Sequence, residues 1–244
     1  MKTLVIIPSR LSASRLPGKP LLKINGTSMI SHVFKKAEKA NIGEVIVATE
    51  DQEIIDDVKK NGGRAILTKK QHKTGTDRIY EALGKFDTTN IDLVMNLQGD
   101  EPLMNIEDIK NLNNQMQKNQ SQLGTLASKI KDRKLFENQN IVKVMTKEKL
   151  NNTNFPEAIN FMRKIFNQGE NIYHHLGIYC YQKETLQNFV SFNQSSNELK
   201  NKLEQLRALD NSIKINVALA ISSPIGVDTK EDFLAIKKIM EYKT

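Results

Sequence analysis

Short aliphatic runs alternate with amphipathic helical patterns through the first hundred residues, and this alternation restricts the chain to few folds. Runs rich in Val, Ile or Leu predict buried strands over residues 4–7, 44–49, 64–67 and 91–97. Helices are predicted between them over residues 28–40, 52–61 and 75–86, with Ser28 and Asp51 at N-cap positions. Repeated βα units favour an α/β fold with a mostly parallel sheet, whose ligands bind outside the carboxyl ends of the strands.

The second half has a less regular pattern. A polar helix over 105–119 precedes predicted strands over 123–130 and 141–144, and residues 147–172 are rich in Asn, Lys and Glu. Further predicted elements are a strand over 173–181, a helix over 198–209, a strand over 213–220 and a helix over 230–242. We expect one domain over residues 1–244, with a small lobe inserted at approximately 150–200.

Composition indicates a globular protein without a dedicated nucleic-acid surface. The 244 residues carry a net charge of +8, but the lysines are scattered and form no run of five or six. We attribute the excess mainly to composition, with a local contribution from a phosphate site. Cys180 is the single cysteine, so an intramolecular disulfide and a Cys-based zinc site are excluded, and we expect an inert packing residue. No apolar run of 18 residues occurs, and we expect a cytoplasmic protein that binds no membrane.

The loop after the first strand carries three cations. Pro8 removes a backbone donor and should end the strand, and a loop of small residues with Arg10, Arg15 and Lys19 follows. Such a loop at the carboxyl end of a parallel strand is typical of phosphate sites, because guanidinium groups bind phosphate in a bidentate manner. The alternative is a basic, solvated surface loop.

Two acidic motifs and the start of one predicted helix could complete a phosphate-binding site with this loop. Asp100 follows the fourth predicted strand and is placed to bind Mg2+ that bridges a nucleoside triphosphate, although a simple turn is the alternative. Asp228 could be a second carboxylate, but it or Thr229 could equally cap the last helix. The run Thr-Gly-Thr-Asp-Arg at 74–78 also has a structural interpretation, as a helix N-terminal cap.

These motifs together resemble those of the 3-deoxy-manno-octulosonate (Kdo) cytidylyltransferases. The similarity covers Arg-x4-Arg-Leu-Pro-Gly-Lys-Pro-Leu at 10–21, Gln-Gly-Asp-Glu-Pro at 98–102 and Gly-Val-Asp-Thr-x-Glu-Asp at 226–232. It extends to Thr-Gly-Thr-Asp-Arg at 74–78, His-Leu-Gly-Ile-Tyr at 175–179 and Leu-Glu-Gln-Leu-Arg at 203–207. The resemblance implies a three-layer, Rossmann-like nucleotidyltransferase fold with an inserted sugar-binding and dimerisation lobe, and a homodimer.

The resemblance also implies roles for individual residues. The catalytic residues would be Lys19, Arg15, Arg10 and Asp100. The CTP-binding residues would be Pro8, Ser9, Arg10, Arg15, Lys19, Thr74, Gly75, Asp77, Gln98 and Asp100. The sugar-binding residues would be Arg78, Gln98, Arg163, His175, Tyr179, Glu204 and Gln205. Mg2+ would be held by Asp100 and Asp228. Strand alternation places 175, 177 and 179 on one face, in agreement with a shared pocket.

The expected activity is transfer of CMP from CTP to Kdo, for lipopolysaccharide biosynthesis. The departures from the family pattern lie in the sugar half: His174 replaces an arginine, no proline follows Arg163, and Asn201 stands where an acidic residue is usual. A cytidylyltransferase for another acidic sugar, such as an 8-amino-Kdo or a sialic-acid-like nonulosonate, is therefore an alternative. A more distant alternative is a nucleotide- or nucleic-acid-binding protein without catalysis, favoured only by the +8 charge.

Overall fold

The computed structural model describes residues 1–12, 15–70, 72–130, 136–165, 170–224 and 226–242. Its strands are β1 (Thr3–Ser9), β2 (Lys23–Ile24), β3 (Thr27–Ser28), β4 (Gly43–Thr49), β5 (Ala65–Leu67), β6 (Leu93–Asn96), β7 (Leu123–Ser128), β8 (Lys143–Thr146), β9 (Ala158–Met162), β10 (Ile172–Gln182) and β11 (Ile215–Leu219). Its helices are α1 (Met29–Ala40), α2 (Gln52–Lys60), α3 (Gly75–Gly84), α4 (Ile106–Asn119), α5 (Lys183–Ser191), α6 (Ser196–Asn201), α7 (Leu206–Asp210) and α8 (Lys230–Glu241). None of the helices in the described ranges is long and apolar enough to cross a membrane.

The described residues form two compact units. The N-terminal unit comprises residues 2–91, 95–109 and 224–242, and the central unit comprises residues 1, 92–94 and 110–223. Strand β6 therefore contributes residues to both units. Each unit is assembled from separate stretches of the chain, so neither corresponds to a continuous segment.

The N-terminal unit contains the βα repeats that the sequence predicts. Strand β1 pairs with β4 in parallel, and β4 pairs with β5 in parallel. The side chains of Leu4, Val5, Ile6 and Ile7 are fully buried, as expected for a parallel strand covered on both faces. Helix α1 begins at the predicted cap, because the Ser28 hydroxyl accepts a hydrogen bond from the Ser31 amide. The prediction of a mixed α/β fold with a mostly parallel sheet is confirmed.

Asp51 has a different function from the predicted cap. It occupies the N-cap position of α2, but its side chain makes no capping hydrogen bond. The carboxylate accepts a hydrogen bond from the Leu11 amide instead, at 2.7 Å. Asp51 thus fixes the loop that follows β1, an interaction between residues forty positions apart that local sequence patterns do not indicate.

The central unit contains both parallel and antiparallel strands. Strand β10 pairs with β7 and with β8 in antiparallel register, β8 pairs with β9 in the same sense, and β7 pairs with β11 in parallel. Strand β9 and helix α5 were not predicted. Cys180 is fully buried in β10, and this burial raises the pKa of its thiol, in agreement with the predicted inert packing role.

The predicted helix over 198–209 is wrong. Helix α6 ends at Asn201, Lys202 adopts a left-handed conformation with φ of 53°, and α7 begins only at Leu206. Glu198 and Arg207 form a fully buried ion pair, with Glu198 Oε1 2.6 Å from Arg207 Nη2. Residues nine positions apart lie on opposite faces of a continuous helix, so this ion pair requires the break.

A bulge in β10 interrupts its pairing with β7 between Leu176 and Tyr179. The Thr125 hydroxyl of β7 lies 2.7 Å from the Ile178 carbonyl oxygen and 3.2 Å from that of Leu176, and it donates to these groups. One threonine thus satisfies carbonyl groups that the bulge removes from the strand ladder.

Candidate active site

A pocket in the N-terminal unit is formed where β1 and β6 end and α3 begins. The predicted site residues that line it are Pro8, Ser9, Arg10, Arg15, Lys19, Thr74, Gly75, Arg78, Gln98, Asp100 and Asp228. Five further residues line it without having been predicted: Leu16, Pro20, His72, Lys73 and Gly99. A Cβ atom at Gly99 would lie 3.1 Å from the Pro8 carbonyl oxygen, so glycine allows the two strand ends to approach closely.

Two ion pairs connect the cationic loop to the acidic motifs. Lys19 Nζ lies 2.7 Å from Asp100 Oδ2 and donates a second hydrogen bond, also of 2.7 Å, to the Val227 carbonyl oxygen. Arg15 Nη2 lies 2.9 Å from Asp228 Oδ1, and both of these side chains are at least half exposed. The two predicted metal ligands and all three predicted cations therefore line one pocket, and two of the cations form ion pairs with the carboxylates.

Glu101 adds a third carboxyl group beside this pair. Its Oε2 atom is buried and has no hydrogen-bond partner in the described part of the chain. Burial, together with the negative charges of Asp100 and Asp228, raises the pKa of Glu101 to about 8. The smaller part of this rise, which comes from Asp100 and Asp228, is repulsion between carboxylates that a bound cation would relieve.

The donor set fits a magnesium ion held by few protein ligands. Across the described ranges, no group of three or more His, Cys, Asp or Glu side chains is arranged to hold a metal. Asp100 and Asp228 both line the pocket, and two carboxylates leave room for phosphate oxygens and water, which Mg2+ prefers. In the structure each carboxylate pairs with a cation, so a metal would have to exchange with these pairs.

The start of α3 is held by a capping box, which confirms the structural interpretation of residues 74–78. The Thr74 hydroxyl accepts from the Asp77 amide, and the Asp77 carboxylate accepts from the Thr74 amide. Asp77 does not line the pocket. Arg78 does, but its buried guanidinium pairs with Glu50 and donates to the Thr68 hydroxyl.

His72 is a pocket residue that the sequence analysis missed. Its Nε2 atom lies 2.5 Å from Glu81 Oε2, and the Glu81 carboxylate also accepts hydrogen bonds from the Lys69 amide and from Lys85. Burial would raise the pKa of Glu81, but these hydrogen bonds outweigh it and lower the pKa to about 2. Helix α3 thereby anchors the segment that carries His72 and Lys73. The run of basic residues before Thr74 is the sequence feature that could have identified these two residues as part of the pocket.

The predicted sugar-binding residues other than Arg78 and Gln98 lie in the central unit. The rings of His175 and Tyr179 are 5.5 Å apart, so the two side chains share a face as expected. His175 Nε2 lies 3.0 Å from the Thr125 hydroxyl, and its ring packs edge-on against Phe161. Burial, with a smaller contribution from His174, lowers the pKa of His175 to about 3, so this imidazole is neutral.

Glu204 and Gln205 lie in the turn between α6 and α7 rather than within a helix. Gln205 is buried, and Glu204 Oε1 lies 3.9 Å from Arg207 Nη2. The Arg163 guanidinium points at four backbone carbonyl oxygens at 3.3–3.4 Å, those of Gln139, Asn140, Asn201 and Lys202. Gln98, which is predicted to contact both substrates, lines the pocket of the N-terminal unit and donates to Asn96.

Comparison with known proteins assigns the chain to a family. A family model described as cytidylyltransferase matches residues 4–215. The chain is 41% identical over 245 aligned positions to the 3-deoxy-manno-octulosonate cytidylyltransferase of Nitrobacter winogradskyi, which covers 98% of this chain and 94% of that relative. The chain belongs to the 3-deoxy-manno-octulosonate cytidylyltransferase family.

Further comparisons agree with this assignment. The family member from Afipia carboxidovorans is 42% identical over 240 aligned positions, covering 98% of this chain and 96% of that relative. A solved CMP:2-keto-3-deoxy-manno-octonic acid synthetase, complexed with CTP, matches with a TM-score of 0.90 and 33% identity over the full length of both chains. A UDP-glucose pyrophosphorylase matches with a TM-score of 0.72 at 14% identity and supports the nucleotidyltransferase fold alone.

Proposed function

We propose that this protein transfers CMP from CTP to the anomeric hydroxyl of Kdo, giving CMP-Kdo and pyrophosphate for lipopolysaccharide biosynthesis. The observation that carries the proposal is the pocket in which the Lys19–Asp100 and Arg15–Asp228 pairs place cations beside two carboxylates, in a member of this family. An anionic triphosphate requires the cations, whereas a protein that only bound anions would not need the carboxylates.

The residues suggest a transfer without a covalent enzyme intermediate. The acceptor hydroxyl attacks the α-phosphorus of CTP in line, the bond to the β-phosphate oxygen breaks, and pyrophosphate leaves. The Lys19 side chain is only 13% exposed, so its charge acts in a low-dielectric environment. Together with Arg10 and Arg15 it stabilises the charge that develops on the phosphate oxygens. Asp100 and Asp228 would hold Mg2+, which when bound neutralises triphosphate charge and lowers the pKa of the acceptor hydroxyl.

The binding roles of the remaining residues belong to the same proposal. Pro8, Ser9, Thr74, Gly75 and Gln98 line the pocket and would surround the nucleotide. The assignment extends to Asp77, which lies outside the lining and would act by holding Thr74 through the capping box. The acidic sugar would contact the other predicted residues, namely Arg78, Gln98, Arg163, His175, Tyr179, Glu204 and Gln205. The proposal also includes a homodimer, one domain with an inserted lobe, a cytoplasmic location and no nucleic-acid partner.

A second acceptor class is favoured by one observation in the central unit. His174 and Asn201, two departures from the family pattern, both lie close to the predicted carboxylate-binding region. Burial and, to a smaller extent, the charge of Lys143 lower the pKa of His174, and the Asn201 carbonyl oxygen accepts from Arg163. A different acidic sugar is therefore the alternative acceptor.

Pyrophosphate release tests the function and the acceptor together. The enzyme is incubated with CTP and each of a panel of acidic sugars, including Kdo, an 8-amino-Kdo and a sialic acid, with Mg2+ or with EDTA. We expect Mg2+-dependent release with Kdo and much less with neutral sugars. Faster release with another acidic sugar would select the alternative, and absence of release with every sugar would contradict the cytidylyltransferase proposal.

A further inference from the structure

The central unit contains a fully buried lysine. Lys143, the first residue of β8, is fully buried, with 0% of its surface exposed. Placing an ammonium group in the interior costs free energy unless hydrogen bonds or opposite charges compensate it. The neighbours of Lys143 therefore indicate what the side chain does.

The ammonium group donates to two backbone carbonyl oxygens. Lys143 Nζ lies 2.6 Å from the Asn138 oxygen and 2.9 Å from the Arg163 oxygen. Within the ranges that the structure describes, neither Lys143 nor Arg163 forms an ion pair with a carboxylate. Burial and, to a smaller extent, the charge of Arg163 lower the pKa of Lys143, so the two cationic side chains influence each other.

Both carbonyl oxygens that accept from Lys143 belong to the immediate surroundings of Arg163: one is that of Arg163 itself, and the other is that of Asn138. The Arg163 guanidinium donates to the carbonyl oxygens of Gln139 and Asn140, which directly follow Asn138 in the chain. One ammonium group thus holds both the main chain of Arg163 and the segment against which its side chain rests. These guanidinium bonds are 3.3–3.4 Å long and therefore weak, so an incoming carboxylate could replace them with shorter, bidentate ones.

Fold stability alone does not account for a lysine at this position. An apolar side chain of similar size would remove the desolvation cost of the ammonium but leave two carbonyl oxygens without their donor, and because these effects oppose each other the net contribution of Lys143 to stability should be small. Methionine has nearly the length of lysine and fills irregular space, so it could occupy this site without the desolvation cost.

We propose that Lys143 is a positioning residue that fixes the backbone of Arg163, so that the guanidinium is presented to the carboxylate of an acidic acceptor. This inference rests on the proposed function, because it requires an acidic sugar as substrate. Lys143 does not itself touch the acceptor, since its ammonium group is fully buried and bonded to the main chain.

The test compares Lys143→Met with Lys143→Arg and with the matched control Lys147→Met, which replaces an exposed lysine on the same segment. For Lys143→Met we expect the KM for Kdo to rise about tenfold, the KM for CTP to change by less than twofold, and the melting temperature to change little, because the relieved desolvation of the ammonium offsets the loss of two hydrogen bonds. Lys147→Met should match the wild type in both KM values. Lys143→Arg, which keeps a cationic donor, should show a smaller rise in the Kdo KM.

A double-mutant cycle separates positioning from a general packing effect. If Lys143 acts through Arg163, the variant carrying Lys143→Met and Arg163→Ala should have the same Kdo KM as Arg163→Ala alone. Additive effects would overturn the inference, as would an unchanged Kdo KM in Lys143→Met. If Lys143→Met does not fold, a Lys143→Arg enzyme with reduced thermal stability but an unchanged Kdo KM would overturn it as well.

Failure of the inference is distinguishable from failure of the proposed function. A wild-type enzyme that releases no pyrophosphate from CTP with any acidic sugar contradicts the function. A wild-type enzyme that is active with Kdo, combined with a Lys143→Met variant of unchanged Kdo KM, contradicts the positioning role alone.

Discussion

Lys19 contacts both acidic motifs of the pocket, through the Asp100 carboxylate and the Val227 carbonyl oxygen. We expect Lys19→Ala to lower kcat about 100- to 1000-fold, because a positioned charge that stabilises the transition state is lost. The Kdo KM should change much less than kcat, since five of the seven predicted acceptor residues, all but Arg78 and Gln98, lie in the central unit. Steady-state kinetics of pyrophosphate release measure both quantities, and Lys23→Ala, at an exposed position on the same segment, is the control.

Turnover in Lys19→Ala that equals that of the wild type would remove Lys19 from the catalytic assignment. A rise in the Kdo KM with unchanged kcat would instead indicate that Lys19 binds the acceptor. The two results are separable because kcat and KM are obtained from the same titration.

His175 yields a pH prediction with a definite sign. Its pKa is about 3 in the folded protein against 6.5 in an unfolded chain, so between these values the unfolded state binds more protons. The free energy of unfolding should therefore rise with pH through this window and become nearly constant above about pH 7.5. Protonation of the unfolded chain alone predicts that His175 lowers stability by about 2 kcal/mol at pH 5 relative to pH 7.5.

Urea unfolding at pH 5 and pH 7.5 of the wild type and of His175→Gln tests this prediction. The variant lacks the imidazole, so the difference in unfolding free energy between the two proteins should shift in favour of the variant at pH 5. An equal difference at both pH values would show that His175 is not buried in a neutral form.

At the scale of elements, helix α8 packs against Val227, whose carbonyl oxygen contacts Lys19 in the pocket. Phe233 of α8 packs in a cluster with Ile24, Met29 and Val227, and the Val227 carbonyl oxygen accepts from Lys19. We expect Phe233→Ala to lower the free energy of unfolding by about 3 kcal/mol and also to lower kcat. The neighbouring Leu234 is 53% exposed, and Leu234→Ala should change stability by less than about 0.5 kcal/mol.

Chemical denaturation and initial rates of both variants provide the comparison. Equal destabilisation by the two substitutions would contradict the packing assignment of α8. A destabilised Phe233→Ala enzyme with wild-type kcat would show that the Val227 carbonyl is not needed to orient Lys19.

The sequence predicted well those elements whose hydrophobic pattern is visible within their own residues. Helix α1 and strand β1 show their buried faces in their own residues, and their ends were predicted to within two residues. The break between α6 and α7 could not be predicted, because it results from a buried pair between Glu198 and Arg207. Strand β9 is a short, mostly apolar run of five residues inside a stretch rich in Asn, Lys and Glu, and its pairing with β8 is what makes it a strand.

The same distinction applies to the candidate site. Arg10, Arg15, Lys19 and Asp100 stand in compact motifs beside strand ends, so their types and positions could be predicted to meet. Lys143 could not be identified, because an ordinary lysine in a strand gives no sign that it is fully buried. Its contacts join residues 5 and 20 positions away, which only the folded chain brings together.

At the scale of the whole molecule, the pocket is assembled from distant parts of the chain. Arg15 is close to the start and Asp228 is close to the end, yet they form an ion pair. Ligand binding at this pocket should therefore stabilise the native state as a whole, because unfolding separates the groups that bind. CTP and Mg2+ are the ligands that the proposed function predicts.

Thermal unfolding can measure this linkage and the need for a metal. At concentrations about 100-fold above the dissociation constant, CTP with Mg2+ should add about 2.7 kcal/mol, which corresponds to roughly 5–10 °C in melting temperature. With EDTA the shift should be smaller, because Asp100 and Asp228 then repel the triphosphate. Asp228→Asn should lose most of the Mg2+-dependent increment, whereas Lys143→Met should retain it. An equal CTP shift with Mg2+ and with EDTA would contradict the metal assignment while leaving nucleotide binding intact.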